Sequence, residues 1–228
     1  YNGSVWYRGQ SDAKYSLLPS YMRDENNAPE ATLLSVFKQN AMMLIQQQPN
    51  TSFDWMFLMQ HYGIPTRLLD WSESPLIALY FALYNAEKNS DSVVWALKPT
   101  ELNKQAHIQS DKEQFFIPAF DDKEVESYSV EYLSADNARN IHLNPIAVIA
   151  SRNNVRIQAQ LGVFTIHHKK TTPIEDLSNG GHVAKYILPQ DKKKDMLDQL
   201  SLLGINKFQL FPELSSIKDI MLKRNLIQ

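Results

Sequence analysis

The segment that most constrains the fold is an apolar run at residues 75–84, with the sequence PLIALYFALY. Ser74 and Pro75 are a typical N-cap and first-turn residue, so the run predicts a helix that begins there. Because this helix is apolar on nearly every face, it must be buried on most of its sides. The rest of the chain has to surround it, and we expect it to be the central core helix.

The remaining hydrophobic pattern predicts an α+β domain. Helical spacing of apolar residues indicates helices at residues 29–48, 53–62, 191–203 and 214–224. Short apolar runs predict strands at 5–7, 93–97, 145–150, 162–167, 182–188 and 207–211, the first ending in an Arg8-Gly9-Gln10 turn. We expect a central mixed sheet of about five or six strands flanked by helices. Residues 1–228 then form a single domain, with the irregular segment 100–144 as an insertion or cap.

Composition argues against several classes of protein. Twenty-three Lys and Arg against 25 Asp and Glu give a net charge of −2, so no bulk field draws the chain to nucleic acid or to an anionic membrane. No apolar stretch approaches the roughly 20 residues of a membrane span. The chain has no Cys, which excludes thiol chemistry and favours a reducing, cytoplasmic location. The GxGxxG, Walker A, GxSxG and HExxH motifs are also absent.

The densest group of polar residues follows the second predicted helix, and we name residues 60–72 the polar elbow. Its polar or titratable side chains, set between two apolar helices, include those of Gln60, His61, Thr66, Arg67, Asp70 and Ser72. In one interpretation Arg67 and Asp70 pair with each other or with helix ends and only staple the helices together. In the other, His61, Arg67 and Asp70 converge with Arg8 in a cleft that holds a charged ligand.

A second candidate region precedes the predicted strand at 162–167. Gln158 and Gln160 face the same side if this region is a strand, but lie about 200° apart around the axis if it is a helix closed by Gly162. An amide held just before an apolar strand is suited to hydrogen-bond a ligand hydroxyl. No Cys or suitably spaced carboxylate accompanies the three histidines of the late strands, so no metal site is predicted at His167, His168 and His182.

Several of these stretches resemble the FRG domain family, which is named for a Phe/Tyr-Arg-Gly motif near its N-terminus. The matching residues are Tyr7-Arg8-Gly9-Gln10, Leu18-Pro19-Ser20 with Arg23, QHYGIPTRLLDW at 60–71, ALYFA at 78–82, Arg156-Ile157, Ala159-Gln160 with Gly162 and Phe164, and Leu210-Phe211-Pro212 with Leu214. The resemblance spans nearly the whole chain. The family has no settled activity, so this resemblance by itself implies little about function.

A looser resemblance, to mono-ADP-ribosyltransferases, implies a chemistry. It rests on an aromatic-Arg-Gly sequence, a Ser-containing segment leading into a helix, and a late Gln before a strand, here Arg8, Ser72 with Ser74, and Gln160. In those enzymes such elements grip the NAD phosphates, shape the nicotinamide pocket and contact the ribose. The resemblance implies NAD as substrate and no metal. The residues expected to act in catalysis are Arg8, His61, Asp70 and Gln160, and those expected to bind NAD are Arg8, Gln10, Thr66, Arg67, Ser72 and Gln158.

Two hypotheses from different classes follow. The first is NAD-dependent ADP-ribosyl transfer to a nucleic acid or protein by a toxin or anti-phage effector, with a neutralising antitoxin or effector partner and no membrane role. Asp70, with Glu213 as second choice, would supply the negative charge that the neutral Gln160 lacks. The alternative is a non-catalytic module that senses a nucleotide, a nucleic acid or a phage protein. A hydrolase using His61 and Asp70 ranks last, because no nucleophile or metal set accompanies them.

Overall fold

The chain folds around one six-stranded sheet in the computed structural model, which describes residues 3–45, 48–84, 86, 90–108, 116–135, 141–150, 155–177, 180–213, 216–218 and 221. The strands are β1 (Trp6–Gln10), β2 (Leu68–Ser72), β3 (Ser92–Leu97), β4 (Ile146–Val148), β5 (Gly162–Ile166) and β6 (Val183–Leu188). Their order is β4-β5-β2-β1-β3-β6, and every neighbouring pair is antiparallel. The α+β class and the expected number of strands are confirmed, but the sheet is antiparallel throughout rather than mixed.

Eight α-helices lie in the described part of the chain. They are α1 (Glu30–Ala41), α2 (Ser52–His61), α3 (Pro75–Leu83), α4 (Pro99–Gln105), α5 (Val130–Ser134), α6 (Val155–Ala159), α7 (Lys193–Leu202) and α8 (Lys207–Leu210). The core helix predicted from the apolar run is α3, with Ser74 at its N-cap and five buried residues. None of the described helices combines the length and apolar character needed to cross a bilayer.

Helix α4 packs on one face of the sheet through Leu102, and two groups of helices cover the opposite face. Strand register places Leu68 and Phe164 on that face, where they join the apolar cluster formed with α1 and α2. Tyr7 and Val94 lie on the same face beside them and pack with Ala78 and Ala82 of α3. The boundary between the two groups therefore runs along the junction of β2 and β1.

Two predicted strands differ from the structure. Residues 207–211 were expected to be extended, but Asn206 accepts a hydrogen bond from the Gln209 N–H and caps the one-turn helix α8. The first strand continues through Gln10, so Arg8 lies within β1 rather than in a turn at its tip.

Three further elements also depart from expectation. The polar elbow contains β2, a strand that the pattern did not predict. Helix α1 ends at Ala41, well before residue 48. The helix expected at 214–224 falls largely outside the described residues.

Helix α3 lies unusually close to β1, and Gly9 is what permits this approach. A Cβ built on Gly9 would stand 1.9 Å from the Ala78 carbonyl oxygen and 2.5 Å from the Ala82 nitrogen. Both contacts are to helix backbone, which no side-chain rotation can relieve. Packing therefore explains the glycine of the Arg8-Gly9 pair, since only glycine fits under α3.

We predict that Gly9→Ala lowers the free energy of unfolding by about 3 kcal/mol, because α3 must shift away from β1. Gly181→Ala is the matched control, since a Cβ there meets nothing within 4 Å. Urea denaturation of both variants measures the difference. Equal midpoints for the two variants would contradict the close approach.

Candidate functional site

A cavity of about 430 Å³ opens where the two central strands separate. β1 pairs with β2 at a single position, Tyr7 with Ser72, whereas it pairs with β3 along its whole length. Helix α3, the end of α2, and α6 supply the other walls. Six of the predicted site residues line this one cavity, namely Arg8, Gln10, His61, Asp70, Ser72 and Gln160.

Arg8 bridges the gap between the separated strands. Its Nη1 donates a hydrogen bond to the backbone carbonyl of Asp70 and lies 4.0 Å from the Asp70 carboxylate. Its Nε is buried and has no hydrogen-bond partner among the described residues. Burial lowers the pKa of the Arg8 guanidinium; Asp70 opposes this shift and nearby Arg23 adds to it. The cation is therefore poorly solvated, and an anion in the cavity would stabilise it.

His61 lies at the end of α2 against Arg156 and Glu213. Arg156 Nη1 is 3.4 Å from His61 Nδ1, and Glu213 Oε1 is 3.8 Å from His61 Nε2. A guanidinium only donates, so His61 Nδ1 must accept and the hydrogen of the neutral ring lies on Nε2, facing Glu213. Burial lowers the pKa of His61; Arg156 lowers it further and Glu213 opposes the shift. Near neutral pH the ring is thus an uncharged group at the cavity wall.

Gln160 is placed by a tight turn between α6 and β5. The Ser72 hydroxyl donates to the Gln160 carbonyl at 2.7 Å, and the Glu73 N–H donates to the Leu161 carbonyl at 3.1 Å. Leu161 has a φ of 47°, a left-handed conformation that is uncommon for leucine. The Gln160 side chain itself donates to the Leu210 carbonyl at 3.0 Å. The helical alternative for this region is correct, and it leaves Gln158 exposed and outside the cavity lining.

Arg67 does not reach this cavity, contrary to expectation. It is 2% exposed and donates to Glu30 at 2.7 Å, to the Tyr128 carbonyl at 2.7 Å and to the His167 carbonyl. It pairs with Glu30 of α1 rather than with Asp70, and its described side-chain acceptors lie outside α2 and α3, the two helices it was expected to staple together. Because its donors are directed to protein acceptors, Arg67 holds α1 against the sheet.

Two other predicted ligand-binding residues are also tied into the structure. Thr66 is 1% exposed, donates to the Gln60 side chain and does not line the cavity. Gln10 does line it, but its amide donates to the Ser16 carbonyl and accepts from the Trp95 indole at 2.7 Å. Gln10 therefore has little remaining capacity for a ligand.

The cavity also contains residues that were not among the predicted site residues. They are chiefly two cations and four larger side chains, Arg23, Arg156, Phe57, Gln60, Phe81 and Tyr84. Arg156 could have been found from its spacing, since it lies four positions before Gln160 and a helix brings such residues to one face. Arg23 comes from the Ser20–Arg23 3₁₀ turn, and its approach to the cavity depends on tertiary packing that the local sequence does not indicate.

The strand histidines are buried rather than arranged for a metal. His167 and His168 follow β5 directly and are 0% and 1% exposed. Burial lowers the pKa of His167 to about 3 and that of His168 to about 4, with Arg67 lowering both. Within the residues that the structure describes, no group of three or more His, Cys, Asp or Glu could hold a metal ion.

Arg67 and Arg8 should differ in how much each contributes to the free energy of unfolding. Arg67→Met is expected to lower the free energy of unfolding by about 3–5 kcal/mol, because it leaves the buried Glu30 carboxylate unpaired. Arg8→Met should change it by about 1 kcal/mol or less, since its partner Asp70 is 58% exposed and the cation is poorly solvated. Guanidinium denaturation compares the two. A larger loss at Arg8 than at Arg67 would refute this division of roles.

The buried histidines predict a loss of stability in mild acid. Their folded-state pKa values lie below that of an unfolded histidine, so the unfolded chain takes up protons first as the pH falls below about 6.5. Between pH 6 and pH 5, His167 and His168 together should reduce the free energy of unfolding by about 2 kcal/mol.

Denaturation series at the two pH values test this, with His167→Gln/His168→Gln expected to flatten the dependence. The control is His107→Asn, since His107 is exposed and asparagine tolerates its left-handed backbone. If the double variant does not fold, NMR titration of the wild-type imidazoles decides, and protonation of His167 above pH 5 would rule out the effect.

Comparison with known proteins bears on the N-terminal part of this arrangement. No curated protein and no solved structure matches the chain. The family model of the FRG domain matches residues 3–92, a stretch that contains β1, α1, α2, β2 and α3. Arg8, His61 and Asp70, together with the Gly9 contact, lie within the matched residues, and the match supports the FRG family.

Proposed function

We propose that the protein uses NAD to transfer ADP-ribose to a nucleic acid or protein acceptor. The observation that carries the proposal is the charge of a single cavity, which among the described residues is lined by Arg8, Arg23 and Arg156 but by one carboxylate, Asp70. A diphosphate carries two negative charges and is bound well by the planar donors of arginine. The volume of about 430 Å³ lies in the range of small-molecule and cofactor sites.

The cavity also offers surfaces for the uncharged parts of a dinucleotide. Phe57 and Phe164 provide aromatic surface for the base and nicotinamide rings. The Gln160 amide nitrogen is already used by Leu210, so its oxygen is the atom that would accept a hydrogen bond from a ribose hydroxyl. Ser72 acts indirectly in this scheme, by fixing the turn that carries Gln160.

The reaction would proceed by cleavage of the bond between ribose C1′ and the nicotinamide nitrogen. The bonding electron pair leaves with neutral nicotinamide, and positive charge develops on the ribose. Asp70 supplies a negative charge at the cavity for this transition state. The acceptor nucleophile then forms the new bond to C1′ and gives up its proton, for which Asp70, Glu213 or water is the base. An enzyme that modifies a macromolecule in this way would suit a toxin or anti-phage effector, held in check by a neutralising partner.

A non-catalytic nucleotide-binding module is the second candidate function. The observation in its favour is that the Gln160 amide and the Ser72 hydroxyl both donate to backbone carbonyls, and so already act in holding the α6–β5 turn. On this account the same arginines bind a nucleotide, but no bond is broken.

Replacement of Arg8 tests both candidates. NAD titration by calorimetry should show binding to the wild type, and Arg8→Ala should weaken it by at least about tenfold through loss of charge-assisted hydrogen bonds. Arg8→Lys should recover only part of the affinity, because a single ammonium lacks the forked donor geometry. Lys194→Gln, which removes a charge from the exposed surface of α7, should bind as the wild type does.

Release of nicotinamide separates the two functions. We expect the wild type to release nicotinamide from NAD and Arg8→Ala to lose this activity. Binding without nicotinamide release would favour the sensing module, and absence of NAD binding by the wild type would overturn the enzymatic proposal.

A further inference from the structure

Aromatic rings form one wall of the cavity and extend from it toward the protein surface. Phe81 and Tyr84 line the cavity from α3. Phe211, which follows α8, packs against both, with ring centroids 5.8 Å from Phe81 and 6.3 Å from Tyr84. We name Phe81, Tyr84 and Phe211 the aromatic wall. It connects the interior of the cavity with the surface formed by α8.

Cations lie over the rings of the aromatic wall. The Arg156 guanidinium carbon is 4.7 Å from the Phe211 centroid, and the Lys207 ammonium is 5.9 Å from the Tyr84 centroid. The next residue, Phe208, is 42% exposed on the same one-turn helix as Lys207. Lys207 therefore connects the aromatic wall to α8, the helix on which Phe208 is exposed.

We propose that the aromatic wall with Lys207 and Phe208 binds the acceptor, and that the acceptor is a single-stranded nucleic acid. This inference rests on the proposed function. Bases stack on aromatic side chains in a sequence-tolerant way, while neighbouring Lys and Arg contact the phosphates. In the free protein, Arg156 and Lys207 lie over the faces of these rings. When bases stack, Lys207 moves to an adjacent phosphate, while Arg156 remains at the cavity. A protein acceptor has no such regular alternation of flat rings and anions.

The charge of the chain limits how this binding can work. A net charge of −2 gives no long-range attraction to a polyanion. Affinity must then come from a few local contacts beside the cavity, so the strand would be held mainly where transfer takes place. Each phosphate contact to a single strand contributes about −0.7 to the slope of log affinity against log salt concentration.

Fluorescence anisotropy with a labelled thymidine oligonucleotide of about ten residues tests the surface. Lys207→Gln should make the salt slope shallower by about 0.7, through loss of one phosphate contact. Phe208→Ala should weaken binding by about fivefold or more, through loss of a stacking surface. Lys194→Gln is the matched control, since it removes the same charge from an exposed site on α7 and should leave binding unchanged.

Nicotinamide release to water, measured without acceptor, should be unchanged in Lys207→Gln and Phe208→Ala, since neither residue lines the cavity. Loss of ADP-ribose transfer to the oligonucleotide with release unchanged is the expected result. Wild-type protein that does not bind the oligonucleotide at about 50 mM salt, or variants that bind it equally well, would overturn the inference.

The two proposals fail in different ways. Transfer of ADP-ribose to protein without oligonucleotide binding would overturn the acceptor assignment and leave the enzymatic function standing. Oligonucleotide binding that responds to the variants in a protein that does not bind NAD would overturn the proposed function and leave a nucleic-acid-binding surface.

Discussion

The contact of α3 with β1 at Gly9 is the constraint on which the site depends. Ala78 and Ala82 are four residues apart, so both lie on the helix face that meets the strand, and neither has a side chain long enough to hold the backbones apart. With α3 this close, Phe81 and Tyr84 reach the cavity that Arg8 enters from β1. The Arg8-Gly9 pair therefore combines two functions at adjacent positions: a packing requirement and a charged side chain beside the cavity.

Arg8 and Arg67 illustrate how the same residue type can be structural at one position and available at another. A buried guanidinium must have acceptors for its donors, or the fold loses the free energy of solvating it. Arg67 meets this requirement with a carboxylate from α1 and two backbone carbonyls. Arg8 has one backbone acceptor, a carboxylate 4.0 Å away, and a buried Nε without a partner among the described residues. The acceptors that Arg8 lacks are those a phosphate would provide, so the residue with the poorer internal partners is the better candidate for binding.

Sequence reasoning succeeded where a local pattern decides the structure. The run at 75–84 could only be a buried helix, and the apolar runs at 93–97, 162–167 and 182–188 correspond to β3, β5 and β6. It failed at β2, where Asp70 interrupts the apolar pattern, and at 207–211, where KFQLF has a strand-like alternation but Asn206 caps a helical turn. Arg8, His61, Asp70 and Gln160 line one cavity. The sequence did not predict the partner of Arg67. Residues 67 and 70 are neighbours in a helix but are separated along extended backbone, and Glu30 lies 37 positions away in the sequence.

The difference between total and local charge explains how a nearly neutral chain can still hold an anion. At physiological ionic strength charges interact over about 8 Å, so Asp121 and Asp122 near the start of α2 do not cancel the field inside a cavity at the end of that helix. Within the cavity, a bound anion would lie much closer to Arg8, Arg23 and Arg156 than to distant surface carboxylates, and the shorter distances strengthen the attraction. Selectivity for a ligand then depends on the shape and donor geometry of the opening between β1 and β2. A net charge of −2 helps, because it gives no general attraction to other anions.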